Sequence, residues 1–250
     1  MERLNYFKHE LKNFLKERNK SFNENALLSS VHKAGVAIIE DFWSEEECAQ
    51  VRNVIDEKME TYQHQAWVSD DGADMRLFGA ELLDSSLKAF WEDESLKALA
   101  LDYEGREGHT GFVMANRIKA AANNAGSGGG WHRDSAANHQ FKAILYLTDV
   151  TEESGPFSYV VGSHKAQNVV VSEMKYNFTP HQNRFSEEEL SPLLAKAEVK
   201  RITGKAGTLI LADTRGIHRG NPIQRGSRYA LTNYYLPHIN DHFKQLLVQV

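Results

Sequence analysis

His132 and Asp134, in the run Trp131-His132-Arg133-Asp134, are the residues whose types and spacing could do metal chemistry. In an extended segment, residues i and i+2 project from one face with Cα atoms about 6.5 to 7 Å apart. Two side chains reaching inward from that separation can meet at one ion, each at roughly 2.0 to 2.2 Å. A third ligand must come from elsewhere, and His218 is the best placed candidate. It follows a β-type run at 208–212 and a turn at 213–216, and it precedes Gly220-Asn221-Pro222. Two imidazoles and one carboxylate on one face of an octahedral ion leave the opposite face open, which suits non-haem Fe(II) activating O2. A bidentate 2-oxo acid fits two of the open positions. Its far carboxylate then needs a cation, and Arg228, ten residues after His218, offers a charge-assisted contact. A lone His-X-Asp also occurs at surface hydrogen bonds and helix starts, so the pair by itself leaves that plainer reading open.

A scaffold must bring positions 132, 134, 218 and 228 together, and the composition allows one. The chain has 250 residues, 41% hydrophobic and 25% charged, enough for a substantial core in one large domain. Acidic residues number 34 against 29 basic, so the basic excess expected of a nucleic-acid binder is missing. A single cysteine, Cys48, excludes an intramolecular disulfide and a cysteine-based zinc site. No apolar run approaches the roughly 20 residues of a membrane span, and the first segment is polar and helix-patterned. The expected address is cytoplasmic and the expected partner a small molecule, with the protein a monomer or homodimer.

Short β-type runs at 112–121, 141–147, 157–161, 199–202, 208–212 and 229–236 are separated by turn residues and predict a barrel or two-sheet jelly roll. Residues 1–105 read as a mainly helical buttress, 106–238 as the β core and 239–250 as a C-terminal helix. Phe7, Leu11, Phe14 and Leu15 follow helical spacing, and this stripe is expected to pack on the body or on a second subunit. Ser44 followed by Glu47 is a capping box opening a helix whose Cys48, Val51, Ile55 and Met59 face inward, which makes Cys48 a buried hydrophobe. The glycine-rich stretch 123–130 lacks the ending of a phosphate loop and reads as a mobile flap beside the His-X-Asp pair. Trp131 and Arg133 alternate to the opposite face and read as structural supports, while His139, His181 and His238 read as surface or packing residues.

The segments Trp131-His132-Arg133-Asp134, Glu153-Ser154-Gly155-Pro156-Phe157, Gly162-Ser163-His164-Lys165 and His218-Arg219-Gly220-Asn221, with Arg228, resemble the phytanoyl-CoA dioxygenase family of Fe(II)- and 2-oxoglutarate-dependent oxygenases. The likeness runs from about residue 112 to 237. It implies a mainly β double-stranded β-helix, a cupin-like jelly roll with flanking helices. It also implies hydroxylation of an unactivated C–H bond, with 2-oxoglutarate and O2 as cosubstrates and succinate and CO2 released, but not which molecule is hydroxylated; Arg76, Arg117 and Arg133 point to a polar or anionic small molecule. By the same resemblance His132, Asp134 and His218 hold Fe(II), Arg228 anchors 2-oxoglutarate, and Tyr146 and Lys119 fall near it. Arg117, sharing a strand face with Lys119, and Arg76 are then candidates for the substrate side. His164 shapes a turn in that pattern and is not a ligand.

Two departures matter. Gly220 stands where relatives often carry a hydroxyl beside the cosubstrate, so Ser227 or Tyr146 must supply one or the grip is weaker. Asp134 is retained where halogenating relatives have a small residue, which disfavours halogenation. The competing readings are a cupin-type metal enzyme without 2-oxoglutarate and a non-catalytic jelly-roll ligand-binding module.

Overall fold

The computed structural model describes residues 2–22, 24–105 and 110–250. In chain order the elements are α1 (Glu2–Asn19), α2 (Ala26–Ala34), β1 (Val36–Ile39), α3 (Glu45–Thr61), β2 (Trp67–Val68), β3 (Asp74–Phe78), α4 (Ser85–Glu92), α5 (Glu94–Glu104) and β4 (Thr110–Lys119). They continue with β5 (Phe141–Tyr146), β6 (Phe157–Val160), α6 (Ala166–Tyr176), α7 (Glu187–Leu194), β7 (Val199–Ile202), β8 (Leu209–Asp213), β9 (His218–Gly220), β10 (Ser227–Leu236) and α8 (Asp241–Leu246). The expected boundary at 105/106 touches residues 106–109, which lie outside the described residues.

Two antiparallel sheets face each other. The larger has the order β1-β8-β5-β10-β4-β3-β2 and the smaller β7-β6-β9, the two-layered jelly roll expected from the β-type runs. Side chains alternate along a strand, so each central strand of the large sheet serves two compartments. Odd-numbered residues (Val113, Ala115, Phe141, Ala143, Leu145, Leu231, Tyr235) join Leu28, Val31, Cys48, Ile55, Met59, Phe90 and Leu96 from the flanking helices α2 to α5. Even-numbered residues turn the other way: Tyr146, Ile210 and Ala212 pack on Phe157, Tyr159 and Ile202 of the small sheet. Between the two sheets that inner face opens into a cavity. α3 starts as its sequence dictates, with Ser44 Oγ accepting from the Glu47 amide and the Glu47 carboxylate accepting from the Ser44 amide.

Three expectations change. β2 and β3 lie within the segment read as helical, because Asp74-Met75-Arg76-Leu77-Phe78 alternates and pairs with the edge of β4. α6 and α7 interrupt the second half; the β-branched run Val169-Val170-Val171 and Pro192 obscure their helical period. α1 does pack on the body, but by its polar side: Tyr6, Glu10 and Asn13 are buried, whereas Phe7, Leu11 and Leu15 are 47%, 57% and 49% exposed. The cause lies beneath it, where a buried arginine and a histidine demand carboxylate partners that only the polar face carries. Among the described residues no helix is long and apolar enough to cross a membrane.

Candidate metal centre and its cavity

His132 and His218 are brought face to face by backbone pairing. The His132 amide donates to the His218 carbonyl at 2.9 Å and the His218 amide returns the bond to His132 at 2.9 Å, so the two residues sit directly opposite across an antiparallel bridge. The Asp134 amide donates to the Thr214 carbonyl at 3.0 Å, which carries the carboxylate to the same end of the sheet. His132 Nε2 lies 3.6 Å from Asp134 Oδ1, and His218 Nε2 lies 3.6 Å from Asp134 Oδ2. Donors held about 2.0 to 2.2 Å from one shared ion lie within roughly 4.4 Å of each other, and both separations meet that limit. Each imidazole spends its Nδ1–H on a backbone carbonyl, His132 on Gly130 at 2.9 Å and His218 on Gly216 at 2.8 Å. A carbonyl only accepts, so the Nε2 lone pairs are left pointing into the cavity. Burial, reinforced by His218, pushes the His132 pKa down to about 3, and burial lowers His218 as well. Burial opposes ionisation of Asp134, yet Lys142 and the imidazoles outweigh it and hold the carboxyl well below its ordinary range. Two neutral nitrogens and one carboxylate oxygen form a donor set that fits a divalent transition metal.

Cationic side chains also line the cavity among apolar ones. Arg228 is 4% exposed; it donates to the Gly155 carbonyl, its Nε has no partner, and among the described residues no carboxylate pairs with it. Burial lowers its pKa. A buried guanidinium without a carboxylate partner beside a metal donor set is what a dicarboxylic 2-oxo acid requires at its far end. Arg76 donates from Nε to Asp74 Oδ2 at 3.0 Å and from Nη2 to Ser127 Oγ at 3.1 Å. Lys142, 4% exposed, sits with Nζ 2.7 Å from Asp134 Oδ2 and 3.6 Å from the centre of the Tyr234 ring. Burial would lower the Lys142 ammonium, but Asp134 outweighs it and the pKa stands above an ordinary lysine's.

The glycine-rich stretch lies over this cavity. Gly126, Gly128, Gly129 and Gly130 all have positive φ, with Ser127 the single side chain among them. A Cβ at Gly128 would meet His132 Cε1 at 2.2 Å, so the stretch can touch the imidazole only as glycine. Gly220 has a matching reason: a Cβ there would meet Ser127 Cβ at 2.6 Å. Ser127 therefore lies directly against Gly220 in the cavity lining, with its hydroxyl accepting from Arg76, while Ser227 is exposed on the surface.

The structure brings six of the eight sequence-chosen residues to this cavity: His132, Asp134, His218, Arg228, Tyr146 and Arg76. The Tyr146 ring forms wall, but its hydroxyl is engaged, donating to the Ile202 carbonyl at 2.9 Å and accepting from the Phe157 amide at 2.8 Å. Burial pushes its pKa up to about 12. Arg117 and Lys119 do not reach the cavity. They share a strand face, as expected, but it is the odd-numbered face turned to the helices: Arg117 Nη1 pairs with Asp56 of α3 at 2.5 Å, and Lys119 is exposed at the strand end. The even-numbered Met114 and Asn116 line the cavity instead. Asn116, Lys142 and Ser127 went unnoticed in the sequence. The available signal was a buried-type strand with one polar residue on its inner phase, Asn116 in 112–118 and Lys142 in 141–147.

Trp131 and Arg133 do point away from the triad. Trp131 is covered by the Arg219 guanidinium at 4.5 Å from its ring centre, and Arg133 lies buried over Phe185. His164 is buried with Nε2 3.1 Å from the His32 carbonyl, away from the triad. His139 departs from the expected packing role. Its Nδ1 pairs with Asp213, which also accepts from Tyr103 Oη at 2.7 Å, and its Nε2 lies 2.9 Å from Glu17 Oε1 of α1. Arg215, fully buried, meets Glu10 at 2.5 Å and Glu17 at 3.4 Å. Burial would depress His139, but Asp213 and Glu17 drive its pKa up to about 9. This clasp is what turns the polar side of α1 inward. Cys48 is buried and its thiol pushed up to about 11 by desolvation, in keeping with a hydrophobe.

Sheet order, flanking helices and the clustered triad define the class: this is the double-stranded β-helix fold of 2-oxoglutarate-dependent oxygenases. The sequence profile of the phytanoyl-CoA dioxygenase (PhyH) family matches residues 31–228, and the chain belongs to that family. No curated protein matches the sequence. Among solved structures, SnoK, a non-haem α-ketoglutarate-dependent carbocyclase from nogalamycin biosynthesis, superposes with a TM-score of 0.63 at 18% identity, covering 88% of this chain and 85% of its own. EctD from S. alaskensis with bound Fe gives 0.64 at 17% identity over 87% and 79% of the two chains. HygX from Streptomyces hygroscopicus with nickel, 2-oxoglutarate and hygromycin B gives 0.58 at 16% identity over 86% and 88%. At such identities the likeness establishes the fold.

Proposed function

We propose that the protein is an Fe(II)- and 2-oxoglutarate-dependent oxygenase that hydroxylates an unactivated C–H bond of a polar or anionic small molecule. The observation that carries this reading is the convergence of His132, Asp134 and His218, lone pairs inward, on a cavity that also holds the unpaired guanidinium of Arg228. Iron held by the triad supplies O2 activation coupled to conversion of 2-oxoglutarate into succinate and CO2. The bound iron and 2-oxoglutarate in EctD and HygX structures of the same fold support the choice of partners.

The chain's own residues have separable tasks. Gly130 and Gly216 carbonyls fix the imidazole tautomers, so that no proton must leave before a metal binds at neutral pH. Arg228 takes the far carboxylate and orients the 2-oxo acid toward the triad. Ile144, Phe157, Met114 and the Tyr146 ring exclude water from the reacting face, and the glycine stretch covers His132. Arg76, anchored by Asp74 and Ser127, sets the polarity of the large-sheet wall beside Arg228.

Anaerobic titration with Fe(II) and then 2-oxoglutarate tests the reading through the weak visible charge-transfer band of the chelate. The expected result is a band that requires both additions. A cupin-type enzyme binds metal without the band, and a non-catalytic module binds neither; either result overturns the proposal.

A further inference from the structure

Lys142 is the cavity cation to which the proposed machinery gives no ligand of its own, beyond its ion pair with Asp134. Among the described residues three cations line the cavity, Arg76, Lys142 and Arg228. Asp74 neutralises Arg76. Arg228 has no carboxylate partner among the described residues and meets the far carboxylate of 2-oxoglutarate. Lys142 is balanced by Asp134 at 2.7 Å, its one ion-pair partner among the described residues. Asp134, however, is also the single carboxylate of the donor set. A divalent metal, Asp134 and the near carboxylate of 2-oxoglutarate together sum to zero. Arg228 with the far carboxylate, and Arg76 with Asp74, each sum to zero as well. One charge is left over, on an ammonium that is 4% exposed. A buried cation without a counter-charge is costly, so the loaded cavity is poised for one more anion.

Building on the oxygenase reading above, we propose that Lys142 anchors the substrate through an anionic group, a carboxylate or a phosphate. An anion bonded to an ammonium lies about 2.7 to 2.9 Å from it. Because that ammonium is itself 2.7 Å from a triad oxygen, the anionic group sits at the metal end of the cavity. The oxidised carbon is therefore a near neighbour of the acid, a few bonds from it, and not the remote end of a long chain. Lys142 projects from β5 on the same face as Ile144 and Tyr146, so the strand fixes its direction.

The test uses the full chain, loaded anaerobically with Fe(II) and saturating 2-oxoglutarate, and follows the visible band while propionate, propionamide or propyl phosphate is added. The wild type is expected to respond to an anion at about tenfold lower concentration than to the isosteric amide. The lower-acting of propionate and propyl phosphate identifies the anion. In Lys142→Met the band still forms and the anion preference falls to parity, whereas Lys142→Arg keeps the preference. Equal wild-type response to propionate and propionamide overturns the proposal, as does a Lys142→Met protein that retains the preference. A Lys142→Met protein that folds, by circular dichroism, but forms no band overturns it too, because Lys142 then serves Asp134. A wild type without any band is a different failure, that of the oxygenase reading itself.

Discussion

Two buried clusters use the same residue types for opposite ends. At the metal centre, His132 and His218 give their Nδ1 protons to backbone carbonyls and turn free Nε2 lone pairs toward a cavity, and both are depressed below the ordinary imidazole pKa. In the α1 clasp, His139 spends both nitrogens on carboxylates, Asp213 and Glu17, and is raised to about 9. Both sites contain histidine and a carboxylate. The difference is where the second nitrogen points, into open space or into another charge. A cluster that saturates its own donors is a structural tie; one that leaves convergent lone pairs is a ligand set. The family match begins at residue 31, so α1, which brings Glu10 and Glu17 to the clasp, lies outside it, whereas the triad lies within.

The sharpest way to break this contrast is to remove one member from each cluster. His218→Ala is expected to abolish iron-dependent succinate formation while the urea midpoint stays close to wild type. Arg215→Met should do the reverse, lowering stability by about 3 to 5 kcal/mol because Glu10 is left buried without its partner, with iron affinity preserved. An Arg215→Met protein that keeps its stability but loses iron erases the distinction.

Arg228→Ala sharpens the metal side. Loss of a buried charge-assisted contact, worth about 2 to 4 kcal/mol, should raise the 2-oxoglutarate requirement by roughly 30- to 1000-fold and leave the iron requirement nearly unchanged. Arg225, exposed and facing Glu153, is the control, and its replacement by Ala should leave the 2-oxoglutarate requirement unchanged. Parallel losses of iron and cosubstrate affinity in Arg228→Ala would move the anchor elsewhere.

The smallest expected effects are with pH, and the pKa shifts behind them run in opposite senses. A histidine depressed to about 3 is already neutral throughout the physiological range, so protons do not compete for it, and iron affinity should change by less than about threefold between pH 6 and 8. His139 is raised, so its stabilisation is complete below the unfolded value near 6.5 and is lost as pH climbs through about 9. The melting temperature should therefore fall by several degrees between pH 7 and 10, at roughly 2 to 4 °C per kcal/mol for a chain of this size. In His139→Gln that pH-dependent fall should largely disappear. A wild-type melting curve that is flat over this range contradicts a charged His139.

Much of the metal centre was legible because its signals are local. The i, i+2 spacing of His132 and Asp134 places two donors on one face wherever the segment is extended, and the order of turns around His218 marks it as the third. The glycines at 126 and 128–130 are equally local, since their positive φ values exclude most side chains. Arg117 and Lys119 show where such reasoning stops. Period-2 alternation correctly puts them on one face, but it holds equally for either phase, and only the packing of α3 against β4 decides that the odd phase faces Asp56. The same phase ambiguity hid Asn116 and Lys142.

The sequence by itself determined the alternation of strands, the capping of α3, the donor types and the pairing of a His-X-Asp with a distant histidine and arginine, because each depends on neighbours within a few residues or on residue chemistry alone. Tertiary structure decided which face of each strand looks into the cavity, which nitrogen of each imidazole is free, and which side of α1 is buried. Those outcomes depend on partners far away in the chain. Glu10 and Arg215 are 205 residues apart, and a buried charge chooses its position by whichever counter-charge the fold delivers to it.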